Sequence, residues 1–301
     1  MTDITLLTDH RYVNPKHTDW YIGNILEEDR LVRLALEARG LTVNRTNWDN
    51  PEYDWAATRF AIFRTTWDYF NRFAEFSAWL RRTQELTRFI NPHGLIWWNL
   101  DKHYLADLQQ KNIPIPPTLF IEPGEQRTLA ELVRTAGWKE CILKPAVSGA
   151  ARHTYRFVVN DSGKLESVFS KLIKQEAMLL QEFQQPVLEK GEVAFMLFAG
   201  KYSHAVLKRA RPGDFRVQDD FGGTVHHYTP SPEEIQFAEK VVSACTPLPV
   251  YARVDAIWDN SGKLCVSELE LIEPELWFRF HPPAAGYFAD AVMKFMKNAS
   301  T

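Results

Sequence analysis

The chain has 301 residues, 45% of them hydrophobic and 24% charged, and a net charge of −3. That balance suits a globular protein with a large buried core and offers no basic field to nucleic acid. No apolar run reaches the ~18 residues that span a bilayer. The start, Met1-Thr2-Asp3-Ile4, carries no basic stretch leading into an apolar one, so no signal peptide is expected and a cytoplasmic location is. Cys141, Cys245 and Cys265 show no C-x-x-C spacing, and small buried hydrophobes are the default for them.

In chain order, residues 3–8 form a strand built on Ile4-Thr5-Leu6-Leu7. A loop of Pro, Asn and Asp leads to an amphipathic helix over 25–39, with Gly40 as its C-cap. Residues 41–43 make the next strand. Phe60-Ala61-Ile62-Phe63 is wholly apolar, as expected of a strand covered on both faces of a parallel sheet. A helix over 73–84 and a strand end at 89–92 complete a small α/β unit. Ligands collect at the carboxyl ends of strands in such units. The segment 64–69 stands there, after strand 60–63, so Thr66, Trp67 and Asp68 are candidate substrate residues. The competing reading is a loop anchored by a buried tryptophan.

A helix from Trp98 to Lys111 is stopped by Asn112-Ile113-Pro114-Ile115-Pro116-Pro117. Helix 128–136 precedes the strand Cys141-Ile142-Leu143-Lys144-Pro145, whose lysine interrupts an apolar run. Helix 168–176, strand 178–183 and a strand pair over 192–198 and 203–207 come next. A charge run over 208–218 leads to Gly222-Gly223, then to a helix over 232–243. The last helix covers 284–297.

Between those two helices lies a β-hairpin, with apolar-rich runs flanking Asp259-Asn260-Ser261-Gly262-Lys263. Its second run carries Glu268, Glu270, Glu273 and Glu275 and no basic residue. Glu268 and Glu270 are two apart and share a face. A four-residue turn over 260–263 sets Asp255 opposite Glu268, an unfavourable pairing unless a cation lies between them. Hard divalent cations take oxygen ligands, so Asp255, Glu268 and Glu270 are candidate ligands for Mg²⁺, with Mn²⁺ as an alternative. A solvated polar face is the rival reading. A five-residue turn places Asp255 and Glu268 on opposite faces and removes the argument.

Over residues 100–280 the order of these parts resembles the ATP-grasp superfamily, and within it the glutathione-synthetase-like carboxylate–amine ligases. By that resemblance, Lys102 and Lys144 contact ATP, and Gln181-Glu182-Phe183 is the hinge that binds adenine through its backbone. Glu192 holds the ribose hydroxyls. Asp255, Glu268 and Glu270 match the metal ligands, the third being Glu where relatives often have Asn. Lys208 and Arg216, ahead of Gly222 and Gly223, lie against the transferred phosphate and the substrate carboxylate. Cationic partners at those points suit a triphosphate; a lysine snorkelling from a sheet edge is the competing reading for Lys144. Relatives have a glycine-rich lid after the strand lysine. Here Ala146 to Thr154 contains one glycine, leaving Ser148 or Thr154 as hydrogen-bond donors and Arg152 or His153 as alternative sources of charge. Thr-Thr-Trp-Asp at 65–68, Gly-Asp-Phe-Arg-Val-Gln at 213–218 and Glu-Leu-Glu-Leu-Ile-Glu-Pro at 268–274 look most like the branch containing the ligase that closes the cycloserine ring.

The resemblance implies an α/β ATP-grasp fold with an α+β C-terminal part. Its units are an N-terminal parallel-sheet (pre-ATP-grasp) domain over 1–92, a central ATP-binding domain over 93–183 and a catalytic domain over 184–301. It implies an ADP-forming ligase that activates an amino-acid-like carboxylate as an acyl phosphate for an amine or similar nucleophile, which can belong to the same molecule. A small-molecule kinase and a non-catalytic nucleotide-binding module are the alternatives. Small-molecule substrates are the expected partners, without nucleic acid or membrane, and a homodimer is left open.

Overall fold

The computed structural model describes residues 1–218 and 221–299. Strands β1 (Thr2–Thr8), β2 (Val43–Asn47), β3 (Thr58–Thr65) and β4 (Arg88–Ile90) form a parallel sheet in the order β2-β1-β3-β4. Helices α1 (Trp20–Glu37) and α2 (Phe73–Thr83) connect them. α1 begins five residues before the expected start, because Asp19 caps it by accepting a hydrogen bond from the Ile22 N–H. Trp20 in its first turn is exposed and residues 21–24 are half-buried. β3 runs two residues past the expected end, and only Arg59 of its eight residues is exposed.

The expected helix from Trp98 to Lys111 is two helices, α3 (His93–Asn99) and α4 (Tyr104–Gln110). Between them the Lys102 N–H donates to the carbonyl of Ala146 at 2.9 Å, tying the break to the central sheet. That sheet is antiparallel and ordered β5-β8-β6-β7, from β5 (Thr118–Ile121), β6 (Glu140–Pro145), β7 (Tyr155–Val158) and β8 (Met178–Glu182). Helices α5 (Leu129–Ala136) and α6 (Ser162–Leu172) cover one face of it through Leu129, Leu132, Val133, Phe169 and Leu172. α6 begins six residues earlier than expected and ends four earlier.

A one-turn helix, α7 (Val187–Lys190), leads into a second antiparallel sheet, β9 (Glu192–Phe198), β10 (Lys201–Arg209), β11 (Thr224–Tyr228), β12 (Tyr251–Trp258) and β13 (Leu264–Glu270), ordered β11-β10-β9-β12-β13. Helix α8 (Pro232–Ser243) packs on the face that carries Val193, Phe195 and Leu197. The other face, with Ala194, Met196 and Phe198, meets α9 (Ala284–Asn298) and the core of the N-terminal sheet through Ile4, Phe60 and Ile62. Central strand β9 is thus buried on both sides, which explains its unbroken apolar run.

The hairpin corrects its own premise. The turn has five residues, since Trp258 pairs with Leu264, and on that count Asp255 and Glu268 would part. A β-bulge at Ser267 takes up the extra residue and brings Asp255 back opposite Glu268.

Arg64, on β3, is buried rather than presented to a ligand. Its guanidinium pairs with Glu28 at 2.7 Å and with Asp29 at 3.5 Å, and both carboxylates are buried. Removing one partner of a buried ion pair leaves an uncompensated charge. Arg64→Met is therefore expected to destabilise by about 3–5 kcal/mol and to lower Tm on the order of 10 °C, read by calorimetry. An unchanged Tm would contradict the assignment.

Candidate active site

A cavity of about 680 Å³ opens where the three sheets meet. Its walls include Lys102 from the break between α3 and α4, Lys144 from β6, Lys208 from β10, and Arg253, Asp255, Glu268 and Glu270 from the hairpin. The strand pairing explains the grouping. Lys208 pairs with Glu192, and Asp255 pairs with Ala194, two residues further along β9 and on the same face. Arg253 pairs with Glu270, and Asp255 with Glu268.

Cations and carboxylates interlock here. Lys102 lies 2.9 Å from Glu268, and Lys208 lies 2.5 Å from Glu192 and 2.9 Å from Asp255. Arg253 holds Asp255 at 2.8 Å and also contacts Glu270. Burial works to raise the Asp255 carboxyl, yet Arg253 and Lys208 hold it below its ordinary range. Glu268 is likewise held low against burial, by Lys102 and Lys144. Glu270 is pushed up to about 8 by burial, which Arg253 only partly offsets, with Asp255 and Glu268 adding repulsion. Burial pushes the Lys144 ammonium down to about 8, helped by Lys102 and opposed by Glu268 and Glu192. It faces this charge cluster and is no snorkelling edge lysine.

Among the described residues no three His, Cys, Asp or Glu side chains converge as a ready metal site. The protein's own Lys102, Lys208 and Arg253 take the carboxylate oxygens. The donor set nevertheless fits a hard divalent cation. Asp255 faces Glu268 across the hairpin, and Glu270, two residues on, lines the same cavity, so three carboxylates offer oxygen ligands to one side of it.

The hinge lies at the other end. Gln181 is buried and donates to the Thr118 hydroxyl at 2.9 Å, while Glu182 and Phe183 line the cavity. The N–H groups of Glu182 and Phe183 are already given to the carbonyls of Pro117 and Glu140, each at 2.9 Å. Gln184, the next residue, also lines the cavity. Over the cavity, Ser148 accepts a 2.5 Å bond from Lys102 at its carbonyl and donates its hydroxyl to the Arg152 carbonyl. The glycine-poor segment reaches its shape with Ala150, Ala151 and His153 at positive φ, a conformation that glycine would adopt more cheaply. A Cβ on Gly149 would come within 2.6 Å of the Phe70 ring. Arg152 is committed to a two-point pair with Glu176 and is no spare charge.

Several expected substrate residues fall elsewhere. Trp67 lines the cavity, but Thr66 and Asp68 do not. Thr66 is fully buried, and Asp68 turns to the Trp48 indole at 2.8 Å and Arg72 at 3.0 Å. The reason is the longer β3, which puts the turn at 66–68 and leaves only Trp67 facing inward. Arg216 lines the cavity, pairs with Asp214 at 2.8 Å and lies over the Phe221 ring. Gly222 and Gly223 shape a turn instead of lining the site. Gly222 has φ +82°, and a Cβ on Gly223 would meet the Val217 carbonyl at 2.3 Å. Residues not anticipated at the cavity include Arg253, Glu273, Trp277 and, from the N-terminal unit, Tyr12 and Tyr21. Arg253 and Glu273 stood inside the acidic hairpin, but no pattern distinguished them.

This architecture is that of ATP-grasp ligases. It superposes on a D-alanine–D-alanine ligase from Bacillus anthracis with TM-score 0.66 at 14% identity, covering 98% of this chain and 97% of that one. A RimK-domain ATP-grasp protein from Sphaerobacter thermophilus gives 0.67 at 17% identity, over 96% and 98%. The crystal structure of the D-cycloserine synthetase DcsG gives 0.83 at 26% identity, over 97% and 98%. Residues 4–91 match the family of DcsG N-terminal domains. The cycloserine biosynthesis protein DcsG of Streptomyces lavendulae is 30% identical over 281 residues, 87% of this chain and 92% of that protein. The chain belongs to the DcsG family of ATP-grasp enzymes, and it is an ATP-dependent ligase.

Proposed function

We propose that this ligase activates the carboxylate of a small amino-acid-like substrate as an acyl phosphate, releasing ADP, and that an amine or similar nucleophile of the same molecule then closes a ring. The observation that carries the reading is one cavity that gathers Lys102, Lys144, Lys208 and Arg253 beside Asp255, Glu268 and Glu270. Similarity to a cycloserine biosynthesis protein supports the ring closure.

In this reading adenine lies between the central and C-terminal sheets, against Phe183 and the main chain of Gln184, and Glu192 takes the ribose hydroxyls. Lys102 and Lys144 meet phosphate oxygens as compact point charges. Asp255, Glu268 and Glu270 would hold Mg²⁺, which would supply the positive charge that these carboxylates now draw from lysine and arginine. Lys102 and Lys208 are then available to the nucleotide. Lys208 and Arg216 stabilise charge as the γ-phosphoryl group moves to the substrate carboxylate. The amine attacks the acyl carbon, forms the C–N bond, loses a proton and expels phosphate. No nucleophilic side chain takes part; the protein positions and stabilises.

The check is an assay with ATP, Mg²⁺ and ureido or hydroxyl derivatives of amino acids, following ADP, inorganic phosphate and product mass together. Equal release of ADP and phosphate with a dehydrated product is expected. A phosphorylated product without free phosphate would make the protein a kinase.

A further inference from the structure

The acidic run that begins with the metal-site carboxylates continues past the end of β13, and there its chemistry changes. Glu268 is held by Lys102, Glu270 by Arg253 and Glu275 by Arg279. Glu273 makes no ion pair with a lysine, arginine or histidine among the described residues. Burial pushes its carboxyl up to about 7, against the neighbouring Tyr69 hydroxyl and the Lys102 charge. Glu273 and Tyr69 both line the cavity.

The main chain around Glu273 is held with unusual completeness for a segment outside helix and sheet. Five consecutive carbonyls each accept from a different side chain. Ile272 accepts from Tyr251 at 2.8 Å, Glu273 from the Trp67 indole at 3.0 Å and Pro274 from Arg64 at 3.4 Å. Glu275 accepts from Arg253 at 3.3 Å and Leu276 from His204 at 2.8 Å. The Leu276 N–H donates to Glu28 at 2.6 Å. An irregular segment whose polar groups are satisfied this way has one direction available to its side chains. Beside it stands an aromatic wall from the N-terminal unit. The Trp67 ring lies 6.2 Å from Tyr12 and 6.1 Å from Tyr21, and all three line the cavity.

A carboxylate without an ion-pair partner among the described residues, beside an aromatic wall, suits a ligand cation; Lys102 also acts on Glu273, and Arg11 stands 5.1 Å from the Tyr12 ring. We propose that Glu273 receives the positively charged amino group of the amino-acid-like substrate, walled by Tyr12, Tyr21 and Trp67, and so decides which substrates the enzyme accepts. This rests on the ligase reading above. It places the amino-group contact not at Asp68, which is turned away, but at a carboxylate carried by the catalytic sheet and held in place by the N-terminal one. Arg64 and Glu28 are positioning residues for it.

The test uses the full chain with saturating ATP and Mg²⁺ and measures ADP release. The probes are O-ureido and O-amino derivatives of serine with a free α-amino group, each beside its N-acetyl counterpart. Wild type is expected to favour the free amine. Glu273→Gln, a near-isosteric change, is expected to lower kcat/KM for the free amine on the order of 10- to 100-fold, mostly through KM, with little change for the N-acetyl form. Glu273→Asp should recover part of the preference. Tyr21→Leu, outside the held segment, should reduce it by several-fold. Nucleotide affinity, measured by calorimetry with Mg²⁺-ATP alone, should stay at the wild-type value in each. An unchanged preference in Glu273→Gln overturns the proposal and leaves the ligase reading standing. Weakened Mg²⁺-ATP binding in that variant also overturns it, placing Glu273 with the metal. Failure of wild type to release ADP with any derivative removes the ligase reading and the proposal together.

Discussion

Replacing Glu268 or Glu270 by glutamine is expected to lower kcat by at least about 10³-fold while the protein remains folded. Asp255 and Glu268 face each other across β12 and β13, and Glu270 lies two residues on. Free of nucleotide, these carboxylates draw on Lys102, Lys208 and Arg253. With Mg²⁺-ATP bound, a neutral amide in the set loses both a ligand and the charge that holds the metal against the triphosphate. The two variants should differ in stability. Glu268→Gln deprives Lys102 of its partner and should lower Tm slightly. Glu270 behaves in the opposite sense, because burial raises its native pKa from 4.5 to about 8. A carboxyl raised on folding favours the native state at low pH and loses that contribution as pH rises from about 4.5 to about 8. Glu270→Gln removes this slope, so its Tm should gain on wild type across that window. Steady-state ADP release and thermal scans at several pH values check both halves. Near-wild-type turnover in either variant would sink the metal assignment.

Lys144→Met is expected to weaken ATP binding about 10- to 100-fold, the effect of losing one charge-assisted contact to phosphate, with a smaller effect on the second substrate. Lys144 is a half-buried cation at the end of an apolar strand, and desolvation lowers its pKa from 10.5 to about 8. The lysine is charged below that value and neutral above it. ATP affinity should therefore be nearly level up to about pH 7 and fall as pH rises through 8, by up to about tenfold per pH unit. Binding near pH 8 should take up protons, visible as a dependence of the calorimetric heat on buffer. Both features should vanish in Lys144→Met. Equal nucleotide affinity in variant and wild type would remove Lys144 from the phosphate site.

Much of this site was legible because charge in an apolar context is conspicuous. Lys144 interrupts Cys141-Ile142-Leu143, and the hairpin carries carboxylates on alternate positions. Both patterns survive in β6 and β13. The pairing of Asp255 with Glu268 was reached from a four-residue turn, whereas the protein uses five residues and a bulge at Ser267. Two errors in register cancel, and alternation alone reveals neither. Thr66 and Asp68 lie off the cavity wall for a related reason. The apolar signal of β3 ends at Phe63, but Arg64 and Thr65 continue the strand because Glu28 and Asp29 make a buried arginine tolerable. Those partners lie on α1, far away in sequence. The same holds for the chain around Glu273, whose carbonyls are met by Tyr251, Trp67, Arg64, Arg253 and His204, residues scattered over more than half the chain. Period and propensity report local geometry, and these contacts are long-range.

The central claim, that the substrate carboxylate is carried through an acyl phosphate, is tested most directly by oxygen transfer. The substrate is prepared with ¹⁸O in its carboxylate and turned over with unlabelled ATP and Mg²⁺, and the released phosphate is analysed by mass. Attack of the carboxylate on the γ-phosphorus makes a carboxylate oxygen the bridge to phosphorus, and displacement by the amine leaves that oxygen on phosphate. The account predicts one ¹⁸O in each phosphate released with product. Phosphate without label, alongside product formation, would contradict it.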